Sequence, residues 1–251
     1  MIEILHAGLL LTALLPAYTS AANLQAPGVY EHAVTYKVHP DFESRSNDIQ
    51  EAIKVEKILP GYLDHFNPPG ELFVKYPYGD GYSVLYGNYI SPMYAIEAPS
   101  VTFQSFFPYF DSFSQDLYLL AITDIGRDEQ QNARAVWINL ALDQDRIVNK
   151  TGPDKKAPAI KNDYFTAALD LKDDKALVQY LGPQPISGTG KHELVFILFR
   201  QPLGRLPYHH LKQRLNWGTN ISGHGIQDWA DYYGLQPIGV NFFESSDDGL
   251  Y

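Results

Sequence analysis

The residues best suited to chemistry lie in a glycine- and proline-rich segment, residues 180–192, which reads YLGPQPISGTGKH. Glycines allow positive φ angles and close approach of another group to the backbone, whereas prolines restrict the path of the chain. This composition excludes a helix and predicts a rigid loop whose free backbone N–H groups can face a small anion. The loop ends at His192, directly before the apolar run 194–199, so we expect an imidazole at the start of a buried strand.

Short apolar and aromatic runs, separated by turn residues, dominate the rest of the chain and predict strands. These runs cover residues 72–76, 83–86, 101–107, 117–123, 135–142, 194–200 and 238–243. Helical spacing predicts a short helix over residues 48–58 with Asn47 as its N-cap, another over 226–233, and a third over 208–216. Many short strands with a few peripheral helices favour an all-β protein, an antiparallel β-sandwich.

Four segments in this order resemble the phosphatidylethanolamine-binding protein family. In the glycine loop the matching residues are Tyr180, Gly182, Pro185, Gly188, Thr189, Gly190 and His192. The other three segments are residues 72–76, the stretch from 87 to 103, and the late strand PIGVNFF at 237–243. The resemblance covers about residues 48–247 and implies a Greek-key β-sandwich with a ligand pocket at one end.

The same resemblance implies which residues line that pocket. Asp124 matches the pocket carboxylate, His192 is retained, and Arg134 stands where the family has a histidine before a strand. Implied ligand-binding positions are Gly182, Pro185, Gly190 and Phe243. The chain departs from the family pattern at Ile125 and Gly126, which replace a proline and a second aspartate, and at Leu194, which replaces an aromatic residue.

An arginine in place of histidine would give the pocket a permanent positive charge and a planar set of donors suited to carboxylate or phosphate. Any catalysis would therefore come from acid–base work and anion positioning by Asp124, Arg134 and His192. Two structural alternatives stay open. Asp124 and Arg134 could simply pair with each other and fix the loop, and His192 could be a satisfied structural histidine.

Several classes of site are excluded or disfavoured by composition. The chain has no cysteine, which excludes disulfides, thiolate nucleophiles and cysteine metal sites. The histidines lack metal-binding spacing, so we expect no metal, and no organic cofactor is expected either. The sequence has no G-x-S-x-G motif of a serine nucleophile. A net charge of −10 argues against nucleic-acid binding and against electrostatic docking on an anionic membrane. Its simplest consequence is solubility.

The N-terminal residues predict a secreted or secretory-pathway protein. An apolar run at residues 7–17, too short to span a bilayer, is followed by small residues, so we expect a signal peptide at 1–21 and no stable membrane insertion. An irregular segment is expected at 22–47 and the β-sandwich domain at 48–247. Two sequons, at Asn149 and Asn220, are candidate glycosylation sites on this route.

The site chemistry and the resemblance together favour a role in a fungal secondary-metabolite pathway. In this interpretation the pocket binds an anionic ligand, a dicarboxylate or maleic anhydride-type polyketide intermediate. The protein would then assist dimerisation or cyclisation toward a maleidride ring, alone or with a partner pathway enzyme. The alternative is a secreted, non-catalytic protein that binds phospholipid or phosphate, or inhibits a protease.

Overall fold

The computed structural model describes residues 40–58, 63, 66–79, 81–106, 116–126, 130–142, 166–185, 188–205, 208–219 and 221–247. This part contains two α-helices, α1 (Pro40–Val55) before all the strands and α2 (Ile226–Tyr233) before the last strand. The strands are β1 (Gly70–Tyr76), β2 (Tyr82–Ser83), β3 (Asn88–Tyr89), β4 (Ser100–Ser105), β5 (Leu117–Ile125), β6 (Gln131–Leu140), β7 (Thr166–Ala168), β8 (Ala176–Val178), β9 (His192–Gln201) and β10 (Gln236–Ser245). Single 3₁₀ turns occupy Pro92–Tyr94, Asp173–Lys175 and Asn216–Gly218.

The strands form two sheets. One has four strands in the order β2-β1-β4-β7, and the other has six in the order β3-β10-β9-β5-β6-β8. Neighbouring strands run antiparallel except β3, which pairs in parallel with β10. Side chains from both sheets, such as Leu72 and Phe103 on one and Leu120 and Phe196 on the other, share one buried cluster. The predicted antiparallel β-sandwich is therefore confirmed.

The outer face of the six-stranded sheet is covered as well. Ile53 of α1 and Trp229 of α2 pack in a second buried cluster with Val195 and Phe242. Strands β5, β9 and β10 therefore bury side chains on both faces. This burial explains why β9 contains an uninterrupted apolar run rather than an alternating pattern, since neither face meets water.

Two of the helices predicted from the sequence differ from the structure. Helix α1 begins at Pro40 rather than at residue 48, so the irregular segment expected at 22–47 is wrong for residues 40–47. Proline is tolerated in a first helical turn, where its missing N–H has no partner. An ion pair from Arg45 to Glu71 and a hydrogen bond from Ser46 Oγ to Pro68 O (3.1 Å) anchor this early part of the helix.

The helix expected at 208–216 is also wrong, because only the 3₁₀ turn Asn216–Gly218 forms there. The segment instead runs beside β6, where Ala133 N donates to Arg214 O (2.9 Å) and Asn132 forms a bridge with Leu215. No helix in the described part of the chain is long and apolar enough to cross a bilayer. The expected signal peptide at 1–21 lies outside the described residues.

Candidate functional site

The ends of three inner strands, β5, β6 and β9, bring the candidate residues together at one end of the six-stranded sheet. Asp124 lies near the end of β5 and pairs in register with Leu194 of β9, two residues after His192. In β6 the register shifts so that Ala133 and Ala135 both pair with β5, which leaves Arg134 as the extra residue of a β-bulge. Bulges commonly re-aim a side chain near functional sites. The predicted strand at 135–142 thus begins earlier, and Arg134 lies within it.

Arg134 is bound to Asp124 rather than exposed to the pocket. Its Nε donates to Asp124 Oδ2 (2.8 Å), and Nη2 donates to the same oxygen. Nη1 reaches the carbonyl of Gly182 at 3.4 Å. The side chains of Asp124 and Arg134 are only 1% and 10% exposed. A carboxylate this deeply buried requires a partner, so the ion pair accounts for the arginine in structural terms.

His192 completes the cluster on the other oxygen of Asp124. Its Nδ1 lies 2.8 Å from Asp124 Oδ1, and its Nε2 lies 2.9 Å from Thr189 Oγ1. The order hydroxyl, imidazole, carboxylate is that of a nucleophilic site. Here, however, the guanidinium of Arg134 neutralises the carboxylate that would stabilise an imidazolium. These hydrogen bonds therefore fix the His192 ring and the loop without strongly activating the Thr189 hydroxyl.

The glycine-rich loop is held from several sides. Tyr180 donates its hydroxyl to Ala95 O (2.7 Å), lies 3.1 Å from the Tyr76 hydroxyl, and stacks on Trp137. Burial raises the pKa of the Tyr180 hydroxyl to about 12, so it remains a donor at physiological pH. Leu181 N donates to Arg134 O at 2.9 Å. These contacts fix the start of the loop at Tyr180 and Leu181.

Arg214, which the sequence did not indicate as a site residue, connects two backbone segments of the site. Its guanidinium donates to the carbonyls of Ala133 (3.1 Å), Arg134 (2.8 Å) and Gln179 (2.8 Å). These carbonyls belong to the β6 bulge and to the residue before Tyr180. Arg214 therefore joins the bulge to the start of the loop, and burial beside Arg134 lowers the pKa of its guanidinium.

A surface groove of about 370 Å³ lies along the first half of the loop. Its lining residues are Pro92, Met93, Ile96, Tyr180, Leu181, Gly182, Pro183 and Gln184. Met93 and Ile96 in this lining are 52% and 68% exposed. Gly182 belongs both to the groove and to the Arg134 contact, so the charged cluster supports the groove wall.

The sequence-predicted residues divide into those the structure joins and those it leaves apart. Hydrogen bonds connect Asp124, Arg134, His192 and Gly182. Phe243 is buried in the sandwich core against Tyr76 and Phe196. In the loop, Pro185 is half-buried and Gly190 has a φ of 78°. The sequon residues Asn149 and Asn220 lie outside the described residues.

Sequence reasoning missed two hydroxyl groups beside His192. Thr189 was noted only as part of the loop motif, although its spacing of three residues from His192 allows their contact. Ser245 pairs with His192 across β9 and β10, and its Oγ is buried without a hydrogen-bond partner among the described residues. Only the strand register reveals this second neighbour.

Comparisons with known proteins agree with this fold. Residues 81–243 match the family model "Phosphatidylethanolamine-binding protein". Carboxypeptidase Y inhibitor of Saccharomyces cerevisiae is 26% identical over 190 residues, which are 71% of this chain and 84% of that protein.

Two solved structures share the architecture. Carboxypeptidase Y inhibitor in complex with its cognate proteinase superposes with a TM-score of 0.65 at 24% identity, over 80% of this chain and 96% of that one. A phosphatidylethanolamine-binding protein from Plasmodium vivax gives 0.52 at 16% identity, over 78% and 96% of the two chains. At these identities the likeness to the solved structures concerns the fold.

Proposed function

Because the chain belongs to the phosphatidylethanolamine-binding protein family, we propose that it is a non-catalytic binding protein that inhibits a proteinase of the carboxypeptidase class. The observation that carries this proposal is the extent of the likeness to carboxypeptidase Y inhibitor, which spans 84% of that protein and not just the loop motif. A likeness over this length supports a shared fold, and the exposed groove beside the loop is the surface to which the proposal assigns the proteinase.

The polar cluster supports binding over catalysis. Both oxygens of Asp124 are occupied, one by Arg134 and the other by His192, and the far nitrogen of His192 is occupied by Thr189. General acid–base work needs a group that can exchange a proton with a substrate within hydrogen-bond reach. In this arrangement the three charged or titratable groups satisfy one another and hold the loop.

The apolar groove supports a protein partner. Exposed Met93 and Ile96 line it, and Tyr78 and Tyr82 pack around Tyr94 nearby in the chain. Exposed apolar side chains grouped on one face are typical of surfaces that contact other proteins. The groove is poorly suited to a small anionic ligand, because its lining contains no charged side chain.

The role in coupling maleic anhydride-type polyketides has no observation in its favour. This role requires Arg134 to bind a carboxylate of the ligand, but its guanidinium already binds Asp124 and the carbonyl of Gly182. A dicarboxylate would have to break a buried ion pair, which typically costs about 3–5 kcal/mol. Binding of phosphate by the same arginine meets the same obstacle.

Secretion remains part of the proposal, on the evidence of the apolar run and small residues before Asn23. Intact-mass analysis of protein from its native host should show a chain that starts near Ala22. A cytosolic protein that retains Met1 and carries no glycan at Asn149 or Asn220 would contradict this part without affecting proteinase binding.

Complex formation with carboxypeptidase Y tests the proposed function. We expect a one-to-one complex in size-exclusion chromatography with light scattering. The complex should persist at about 1 M salt, where the Debye length is about 3 Å. The salt condition matters because a chain of net charge −10 can associate non-specifically with a basic protein.

Two matched variants report on the surface used. Ile96→Asp places a charge in the groove, and Leu203→Asp places one at an equally exposed apolar residue elsewhere (68% and 69% exposed). We expect the first change to weaken the complex and the second to leave it intact. Equal effects of the two variants would mean that the groove is not the surface that binds the proteinase. Absence of any complex with the unaltered chain would overturn the proposed function. Binding of maleate, lost in Arg134→Met, would favour the polyketide role instead.

A further inference from the structure

Glu193 follows His192 in β9 and points to the opposite face of the six-stranded sheet. Its neighbours across the strands are Glu244 of β10 and Ile125 of β5. Ile125 belongs to the outer core cluster, in which Ile53 and Ile58 pack at the C-terminal end of helix α1. Glu193 therefore lies at the border between this end of α1 and the sheet.

The charges around Glu193 are unbalanced. Glu56, directly after α1, is near enough for its charge to repel an ionised Glu193, and Glu244 lies opposite Glu193 in the sheet. Lys191 provides the one cation among these four groups, and its ammonium is bound to Glu244 Oε1. Like charges directly opposite each other destabilise a pair of strands. Three carboxylates thus compete for one ammonium.

Glu193 also lacks a satisfying partner for one oxygen. Its Oε1 is buried and accepts no hydrogen bond from the part of the chain that the structure describes. An ionised carboxylate in this position is costly, whereas a protonated one carries no charge to bury. Burial and the nearby Glu56 and Glu244 raise the pKa of Glu193 to about 7, with Lys191 opposing the shift.

We propose that Glu193 is a proton-operated latch between helix α1 and the six-stranded sheet. The protonated carboxyl lets the end of α1 rest on the sheet. Ionisation sets Glu193 against Glu56 and Glu244, and the end of the helix loosens. This inference does not depend on proteinase binding. It places a pH-sensitive contact on the strand end whose other face carries His192.

The direction of the pH dependence follows from the raised pKa. The folded chain holds this proton more tightly than the unfolded chain, in which a glutamate titrates near 4.5. Stability is therefore greatest below about pH 4.5 as far as this group is concerned, and it falls as the pH rises toward about 7. Above that pH the group contributes no further change.

Opening of the latch can be measured by hydrogen exchange of the α1 peptides as a function of pH. The exchange rates are corrected for the intrinsic rate at each pH to give the protection of the backbone amides. We expect protection of residues 44–58 to fall about tenfold or more as Glu193 ionises, since one unit of pKa difference corresponds to a tenfold change in a linked opening. Glu193→Gln should abolish the fall, and Glu56→Gln should move its midpoint to a lower pH. Asp48→Asn removes an exposed charge from the same helix and should leave the midpoint unchanged.

Two results would overturn the latch. One is protection of α1 that does not change with pH in the unaltered chain, and the other is an unchanged transition in Glu193→Gln. Should that variant fold poorly, carbon-13 NMR of the unaltered chain titrates the Glu193 carboxyl directly. A midpoint near 7 supports the latch, and a midpoint near 4.5 rejects it.

Discussion

The ion pair between Arg134 and Asp124 gives the sharpest prediction about the site. Arg134→Met keeps the length and much of the apolar stem of the side chain but removes the charge. Asp124, 1% exposed, would then be buried without its cationic partner. Removing one member of a buried pair typically costs about 3–5 kcal/mol. We expect the free energy of unfolding to fall by about that amount, a large fraction of the ~5–15 kcal/mol of an ordinary domain.

Urea unfolding followed by tryptophan fluorescence measures this loss, and a double-mutant cycle assigns it to the pair. Asp124→Asn combined with Arg134→Met should be more stable than the sum of the single changes predicts, by about 2 kcal/mol, because the double variant buries no unpaired charge. Lys172→Met serves as the control, since its pair with Asp170 is 69% and 46% exposed and a pair in water should contribute little to stability.

A loss of less than about 1 kcal/mol in Arg134→Met, the value typical of a surface pair, would contradict this expectation. Such a result would mean that Asp124 does not need the guanidinium. Arg134 would then be available to bind a ligand carboxylate, and the pathway role predicted from the sequence would regain its main support.

Two further predictions concern the loop. Gly182→Ala would place a Cβ 2.5 Å from the backbone oxygen of Ala95, so the groove wall must move, and we expect proteinase affinity to fall about tenfold, equivalent to 1.4 kcal/mol. Gly188→Ala strains a φ of 80° but meets no atom within 4 Å, so it controls for strain in the loop that leaves the groove wall in place. Thr189 should not react with a fluorophosphonate probe, because the carboxylate behind the imidazole is neutralised; labelling lost in Thr189→Ala would show an activated nucleophile.

Much of the fold could be predicted from the sequence because local pattern and tertiary packing agree. The apolar run of β9 is a strand since both of its faces are buried, and α2 spans the predicted residues, ending at Gly234 with a φ of 63°. Prediction failed where tertiary contacts override local pattern. Residues 208–216 have helical spacing, but the backbone of Arg214 is bonded to β6 instead.

The site shows a different limit. The family resemblance implied that Asp124, Arg134 and His192 lie together, and in the structure hydrogen bonds join Asp124 to each of the other two. It left open whether Arg134 faces a ligand or its own aspartate, because that depends on the β-bulge in β6. The like-charge contact of Glu193 with Glu244 is equally invisible in sequence, since only the register of β9 and β10 sets these side chains opposite each other.

Titration of carboxypeptidase Y activity with the purified chain tests the central claim most directly. The enzyme concentration is set well above the Kd of the complex. Hydrolysis of a peptide substrate should then fall in proportion to the added chain and approach zero near one chain per enzyme molecule. The unfolded chain should have no effect on hydrolysis. Activity that stays unchanged at a large molar excess of folded chain would contradict the account.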